Sequence, residues 1–335
     1  MIAATSGTPV SITGLGCHVP ERVVTNDDLA KIVDTSDEWI VERTGIRERR
    51  FAADDEALSD IALPAAQKAL DDAGISAGDV DLLIVATVTP DMVFPSTAAI
   101  LADRLGAANA AAYDLSAGCT GFMYGITQAT GMIGAGLSRH ALVIGADLLS
   151  KVVNMADRAT VVLFGDGAGA VVIEPVDEEG FLGFELGADG AGGVDLNLPA
   201  GGSRLPASAE TVAGGLHYVH MNGRQVFKFA TRVLVNSAEA LLDKTGVAIE
   251  DVDVYVPHQA NVRIIDHAVA KLGIPEEKVV VNVDRYGNTS SASIPLALAE
   301  GVADGRVKKG DTVLMTGMGA GLTWGSALMR WTEAS

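Results

Sequence analysis

Cys119 stands in Y-D-L-S-A-G-C-T-G-F-M-Y-G-I-T-Q-A, where small and polar residues precede a stretch that is apolar on nearly every side. Such a stretch reads as a fully buried helix. A cysteine at its first turn meets the positive end of the helix macrodipole, which favours the thiolate and makes the sulfur a nucleophile. Gly118 and Gly121 leave space beside it for a substrate. The alternative is a small core cysteine. Cys17, in G-L-G-C-H-V-P, lacks that setting and reads as structural. His258 follows an apolar run in Y-V-P-H-Q-A-N-V-R-I, at the carboxyl end of an expected strand, where α/β proteins carry their sites. His18, His140, His217, His220 and His267 fall in turns or on element faces and read as solvated or packed. Asn288, in R-Y-G-N-T-S-S-A-S-I-P after the expected strand V-V-V-N-V, reads by itself as a turn residue. T-G-M-G-A-G-L-T-W, Thr316 to Trp324, offers backbone N–H groups suited to an oxyanion hole beside Cys119.

The elements that position these residues come in two copies. D-A-G-I-S-A-G-D-V-D-L-L-I-V-A, from Asp72, matches K-T-G-V-A-I-E-D-V-D-V-Y-V-P-H, from Lys244, at an offset of 172 residues. At the same offset A-L-V-I-G-A, Ala141 to Ala146, falls on V-L-M-T-G-M, Val313 to Met318. Each copy opens with a helical pattern, Ser59 to Ala73 and Arg224 to Lys244, followed by Gly74 or Gly246 where a left-handed cap would end it. Short β-branched apolar runs then predict strands buried on both faces. The result is a layered α/β fold in which the Cys119 and Asn288 loops occupy nearly equivalent places across a pseudo-twofold. The predicted division is a first half over 1–175, a connecting or covering region over 176–215, and a second half over 216–335.

The 335 residues carry 24 Lys and Arg against 43 Asp and Glu, a net charge of −19 that argues against nucleic-acid and anionic-membrane partners. With 48% apolar residues the chain is a packed globular protein. Two cysteines cannot form a disulfide framework, and the opening M-I-A-A-T-S-G-T-P lacks a secretory pattern, so a cytoplasmic protein is expected. F-G-D-G-A-G-A runs into the strand-like A-V-V-I-E, where a dinucleotide fingerprint needs a helix. Neither cysteine has a partner at ligand spacing and no H-x-x-x-H occurs, so no metal site is expected.

The motifs P-E-R-V-V-T-N-D-D, D-E-W-I-V-E-R-T-G-I-R-E-R-R, D-L-S-A-G-C-T-G-F, P-H-Q-A-N-V-R-I, G-N-T-S-S-A-S-I-P and G-A-G-L-T-W-G-S-A-L together span nearly the whole chain. In them the sequence resembles β-ketoacyl-acyl-carrier-protein synthase III. The resemblance implies a thiolase-like, five-layered αβαβα fold, a homodimer, and a triad of Cys119, His258 and Asn288. It implies a decarboxylative Claisen condensation between an acyl-coenzyme A (acyl-CoA) and malonyl-acyl-carrier protein, initiating fatty-acid synthesis without metal or redox cofactor. A priming ketosynthase or acyltransferase of a polyketide pathway is the alternative on the same fold. By the same resemblance, the N–H groups of Cys119 and Ala320 form the oxyanion hole, and Trp39, Arg43 and Arg158 hold coenzyme A. Arg263, Lys228 and Lys271 form a docking patch for the carrier protein. Phe94 and Met318 bound the acyl pocket, with Phe94 reaching it from a partner subunit. Ala320 departs from the family, many of whose members carry glycine there.

Overall fold

The computed structural model describes residues 8–177 and 179–332. Residues 1–7, read above for a secretory signal, lie outside this description. Two sheets form the frame. The first orders its strands Val10–His18, Asp166–Pro175, Ala141–Leu148, Leu82–Ala86 and Ala111–Leu115. The second orders Phe181–Ala188, Thr323–Arg330, Thr312–Gly319 and Val254–Pro257. The duplication survives in the register: Leu82 pairs with Ala141 in parallel, and Val254 pairs with Val313 in parallel, each residue 172 positions after its counterpart. The expected strand V-V-V-N-V contributes only the Tyr255–Val279 bridge at the edge where the first sheet has its fifth strand. A short helix, Val283–Tyr286, follows directly and turns the chain away.

Helices fill three layers around these sheets. Leu58–Ala73 and Thr97–Leu105 cover the outer face of the first sheet, burying Ala62, Ala66 and Leu101 against Leu83, Val85 and Leu142. Gly223–Thr245 and Val262–Leu272 cover the outer face of the second, burying Leu241 and Ile265 against Tyr255, Leu314 and Leu328. Between the sheets lie Gly121–Gly134 and Ser293–Ala303, with Phe122, Met123, Ile126, Ile294 and Leu298 meeting both inner faces. Both central helices are apolar nearly all round because both their sides are covered. The sequence is thus an αβαβα sandwich. Gly74 (φ 67°) and Gly246 (φ 69°) end their helices in the left-handed conformation, as the repeat predicts.

Residues 181–188, within the segment read as connecting, form the edge strand of the second sheet, paired antiparallel with Thr323–Arg330. The remainder of that segment makes turns and a short helix, Ala209–Ala213, and its strand Leu196–Asn197 pairs with His220–Met221 beside the cavity described next.

Candidate active site

One cavity of about 330 Å³ is lined by Cys119, His258 and Asn288 together with Trp39, Arg43, Arg158 and Met318. A second, almost wholly apolar cavity of about 150 Å³ opens on the other side of Cys119, walled by Val88, Leu149, Val152, Phe164, Leu198 and Val219. Cys119 therefore stands between a long, partly charged channel and a small greasy pocket.

Cys119 sits between Gly118, held at φ 58°, and Thr120, which caps the central helix Gly121–Gly134. The helix thus begins two residues beyond the cysteine, and the expectation of a first-turn thiolate needs correction. Burial pushes the thiol up to about 11, so the sulfur is protonated in the unliganded protein. The Ser290 hydroxyl and the N–H groups of Cys119 and Ala320 pull in the other direction without overcoming desolvation. Two glycines bring these donors close. A Cβ on Gly118 would meet Ala320 N at 2.6 Å, and one on Gly319 would meet Cys119 N at 2.4 Å.

His258 follows the parallel strand Val254–Pro257 and donates its backbone N–H to Thr316 O at 2.8 Å. Its ring is 1% exposed, and burial alone lowers its pKa to about 4, which keeps the imidazole neutral. Nδ1 meets Ser293 Oγ at 2.5 Å, while the buried Nε2 has no partner among the described residues. The next residue, Gln259, ties the loop down: its Nε2 donates to Pro257 O and Val280 O, and its Oε1 accepts from Asn282 N and Val283 N. Asn261 caps the helix Val262–Leu272 and donates to Arg43 O at 3.0 Å. The P-H-Q-A-N motif is therefore a histidine followed by two residues that fix its surroundings.

Asn288 is held by the first half of the chain, donating N–H to Leu163 O at 2.8 Å and accepting from Gly165 N at 3.0 Å. Ser290 N donates to its Oδ1 at 2.8 Å, which assigns the amide orientation and leaves Nδ2 as a donor toward the cavity. Beneath this turn the fully buried carboxylate of Asp147 accepts from Ser291 on one side and from Thr87, Val88 and Thr89 on the other. Arg49, 0% exposed and without a carboxylate partner among the described residues, packs its Cβ under Gly287 and donates to Asn26, Val24 O and Val162 O. Ser290, Ser293, Asp147 and Gln259 are absent from the sequence reading. The run T-S-S-A-S just before an apolar helix is the signal that could have raised the serines.

The chain matches known proteins over nearly its whole length. Residues 113–190 match the model of 3-oxoacyl-[acyl-carrier-protein] synthase III, and residues 242–331 match that of its C-terminal part. The chain is 60% identical over 324 residues to β-ketoacyl-[acyl-carrier-protein] synthase III of Symbiobacterium thermophilum, covering 96% of this chain and 98% of the relative. It is 51% identical to that of Clostridioides difficile, over 97% and 99% of the two chains. The crystal structure of the synthase III from Thermus thermophilus superposes with a TM-score of 0.90 at 49% identity, over 97% of this chain and all of that one. The chain belongs to the β-ketoacyl-acyl-carrier-protein synthase III family. It is a thiolase-fold condensing enzyme, an acyltransferase whose reaction initiates fatty-acid synthesis. A priming ketosynthase from a polyketide pathway superposes with a TM-score of 0.91 but at 36% identity, over all of this chain and 99% of that one.

In this chain the remaining expected residues do not all meet at one place. Trp39, Arg43 and Arg158 gather at the outer end of the 330 Å³ cavity, with the two guanidinium carbons 4.7 and 4.9 Å from the Trp39 ring centre. Arg263 stands at the same mouth, its guanidinium 5.6 Å from the ring of Phe227, a lining residue, and exposed Lys228 is the next residue along that helix. Lys271 is exposed at the far end of the helix that Arg263 begins, about 12 Å along its axis. Met318 lines the large cavity rather than the apolar one. Phe94 lines neither and is 82% exposed beside Val93 at 85%. Among the described residues no group of three or more His, Cys, Asp or Glu could hold a metal ion, and no helix is long and apolar enough to cross a membrane.

Proposed function

We propose that Cys119 takes the acyl group from an acyl-CoA and that His258 and Asn288 drive its condensation with malonyl-acyl-carrier protein. The observation that carries this is the meeting, on one cavity, of a thiol between two backbone N–H donors, a neutral imidazole with an unpartnered Nε2, and an oriented amide. Thiol attack on the thioester forms the Cys119 thioester. The N–H groups of Cys119 and Ala320 stabilise the oxyanion, and the thiol proton leaves on the sulfur of coenzyme A. Malonyl thioester then loses CO₂, and donors from His258 Nε2 and Asn288 Nδ2 hold the enolate oxygen. The enolate carbon attacks the acyl-cysteine, releasing the β-ketoacyl thioester and a cysteine thiolate that recovers a proton. No step uses a metal or redox cofactor.

The outer end of the channel suits the nucleotide of coenzyme A: Trp39 supplies an aromatic face, and Arg43 and Arg158 supply cations for phosphate. The 150 Å³ apolar cavity suits the starter acyl chain. In a homodimer the exposed Met92-Val93-Phe94 segment would be covered, with Phe94 lent to the partner's acyl pocket. The carrier protein docks on Arg263 and Lys228 at the mouth and on Lys271 farther along the same surface helix. The two halves, 1–175 and 216–335, act as one catalytic unit. Incubation with a panel of acyl-CoA starters and malonyl-acyl-carrier protein, followed by mass spectrometry, tests the reaction. A β-ketoacyl product two carbons longer than the starter is expected; free acid or unchanged thioester would overturn the reading.

A further inference from the structure

We propose that the hydroxyl of Ser293 sets the tautomer of His258, holding the imidazole proton on Nε2 so that the ring donates into the cavity. This rests on the reading of His258 as a donor to the substrate. Ser293 is the first residue of the central helix Ser293–Ala303 and is 1% exposed. Its Oγ has two neighbours: Gln259 N at 3.4 Å and His258 Nδ1 at 2.5 Å. The Gln259 N–H can only donate, so it occupies a lone pair on Oγ. The one hydroxyl hydrogen is then left for Nδ1, which must be the bare, accepting nitrogen. Were Nδ1 protonated instead, Oγ would receive two donors and its own hydrogen would have no acceptor among the described residues. Nε2, buried and without a protein partner, would also lose the proton that an enolate oxygen needs. Hydrogen-bond accounting therefore favours one tautomer, and it is the one competent for the second half-reaction.

Ser293 touches neither substrate nor sulfur in this scheme and is a positioning residue. Nitrogen-15 NMR of the full-length protein labelled at histidine, with His258 assigned by its loss in His258→Gln, reads the tautomer directly. The wild type should show Nε2–H. Ser293→Ala should shift His258 toward Nδ1–H and lower malonyl decarboxylation about tenfold, the worth of one neutral hydrogen bond, while acylation of Cys119 changes little. Ser293→Thr, which keeps the hydroxyl, should restore both signals. An Nδ1–H wild type, or a decarboxylation loss in Ser293→Ala with the tautomer unchanged, overturns the proposal. A tautomer shift with decarboxylation intact leaves Ser293 as assigned and removes the donor role of His258 instead.

Discussion

Cys119 is a thiol raised by burial to about 11, and the proposed reaction uses its sulfur as the nucleophile. Desolvation raises it, and the donors around it become most useful when negative charge develops. Alkylation of unliganded protein with a neutral reagent should therefore be slow near pH 7 and accelerate steadily toward pH 11, measured by mass mapping of Cys119 against Cys17. A Cys119 rate that levels off below pH 8 would contradict the burial argument. With acyl-CoA the label should fall on Cys119 alone and vanish in Cys119→Ala. At Asn288 the two half-reactions separate. Asn288→Ala should still acylate Cys119 but lose condensation on the order of 10²-fold or more, comparable to removing one oxyanion donor. Condensation at the wild-type rate would return Asn288 to a turn residue.

Buried polar groups beneath the site tie its elements together, Asp147 to Ser291 across the two halves and Arg49 within the first. Arg49 joins the antiparallel strand pair Arg22–Thr25 and Glu48–Phe51 to Val162 O and packs its Cβ under Gly287 beside the Asn288 turn. Removing it leaves buried acceptors unsatisfied, so Arg49→Ala should destabilise by about 3 kcal/mol in denaturant melts, and Arg49→Lys should recover only part of that. A loss below about 1 kcal/mol would show that water replaces the guanidinium. Two buried titrations of opposite sign flank the same clamp. His258, lowered to about 4, contributes stability above its unfolded value that is lost as pH falls through the acid range. Asp166, raised by burial to about 6, contributes stability at low pH that is lost as pH rises through 6. Between pH 4 and 6 their slopes oppose. Relative to wild type, Asp166→Asn should therefore lose stability as pH falls from 6 to 4, whereas His258→Gln should lose it as pH rises over that span. Parallel melting curves across this range would dismiss both assignments.

The whole molecule at −19 must receive an acidic carrier protein, so attraction has to be local. Besides Arg263, the helix Gly223–Thr245 presents Arg224, Lys228 and Arg232 at a spacing of four, all exposed on one stripe near the cavity mouth. Charge reversal at Arg263 or Arg232 should raise KM for malonyl-acyl-carrier protein several-fold and steepen with lower salt, while acyl transfer from acyl-CoA stays near wild type. An unchanged KM at all salt concentrations would move the docking face elsewhere.

At this scale the division between sequence and tertiary structure is plain. The 172-residue repeat, the caps at Gly74 and Gly246, the buried strands of the repeat and the apolar central helix after Cys119 were legible, because each is written in local spacing and the copies corroborate one another. Cys119 and His258 were legible as residues beside elements whose type the flanking pattern declares; Asn288 was not, because V-V-V-N-V, the strand expected before it, gives only a bridge and a short helix. The protonation of the first two was not legible either. Helix position argued for a thiolate at Cys119, whereas the packed walls of both halves desolvate the sulfur and reverse the sign. Nor could spacing show that Ser293 reaches His258 or that Asp147 and Arg49 lie under Asn288, because those contacts join segments 35 to more than 140 residues apart. Local periodicity reports which face of an element is buried; only the folded chain decides what that face is buried against, and the charge state of each group follows from that.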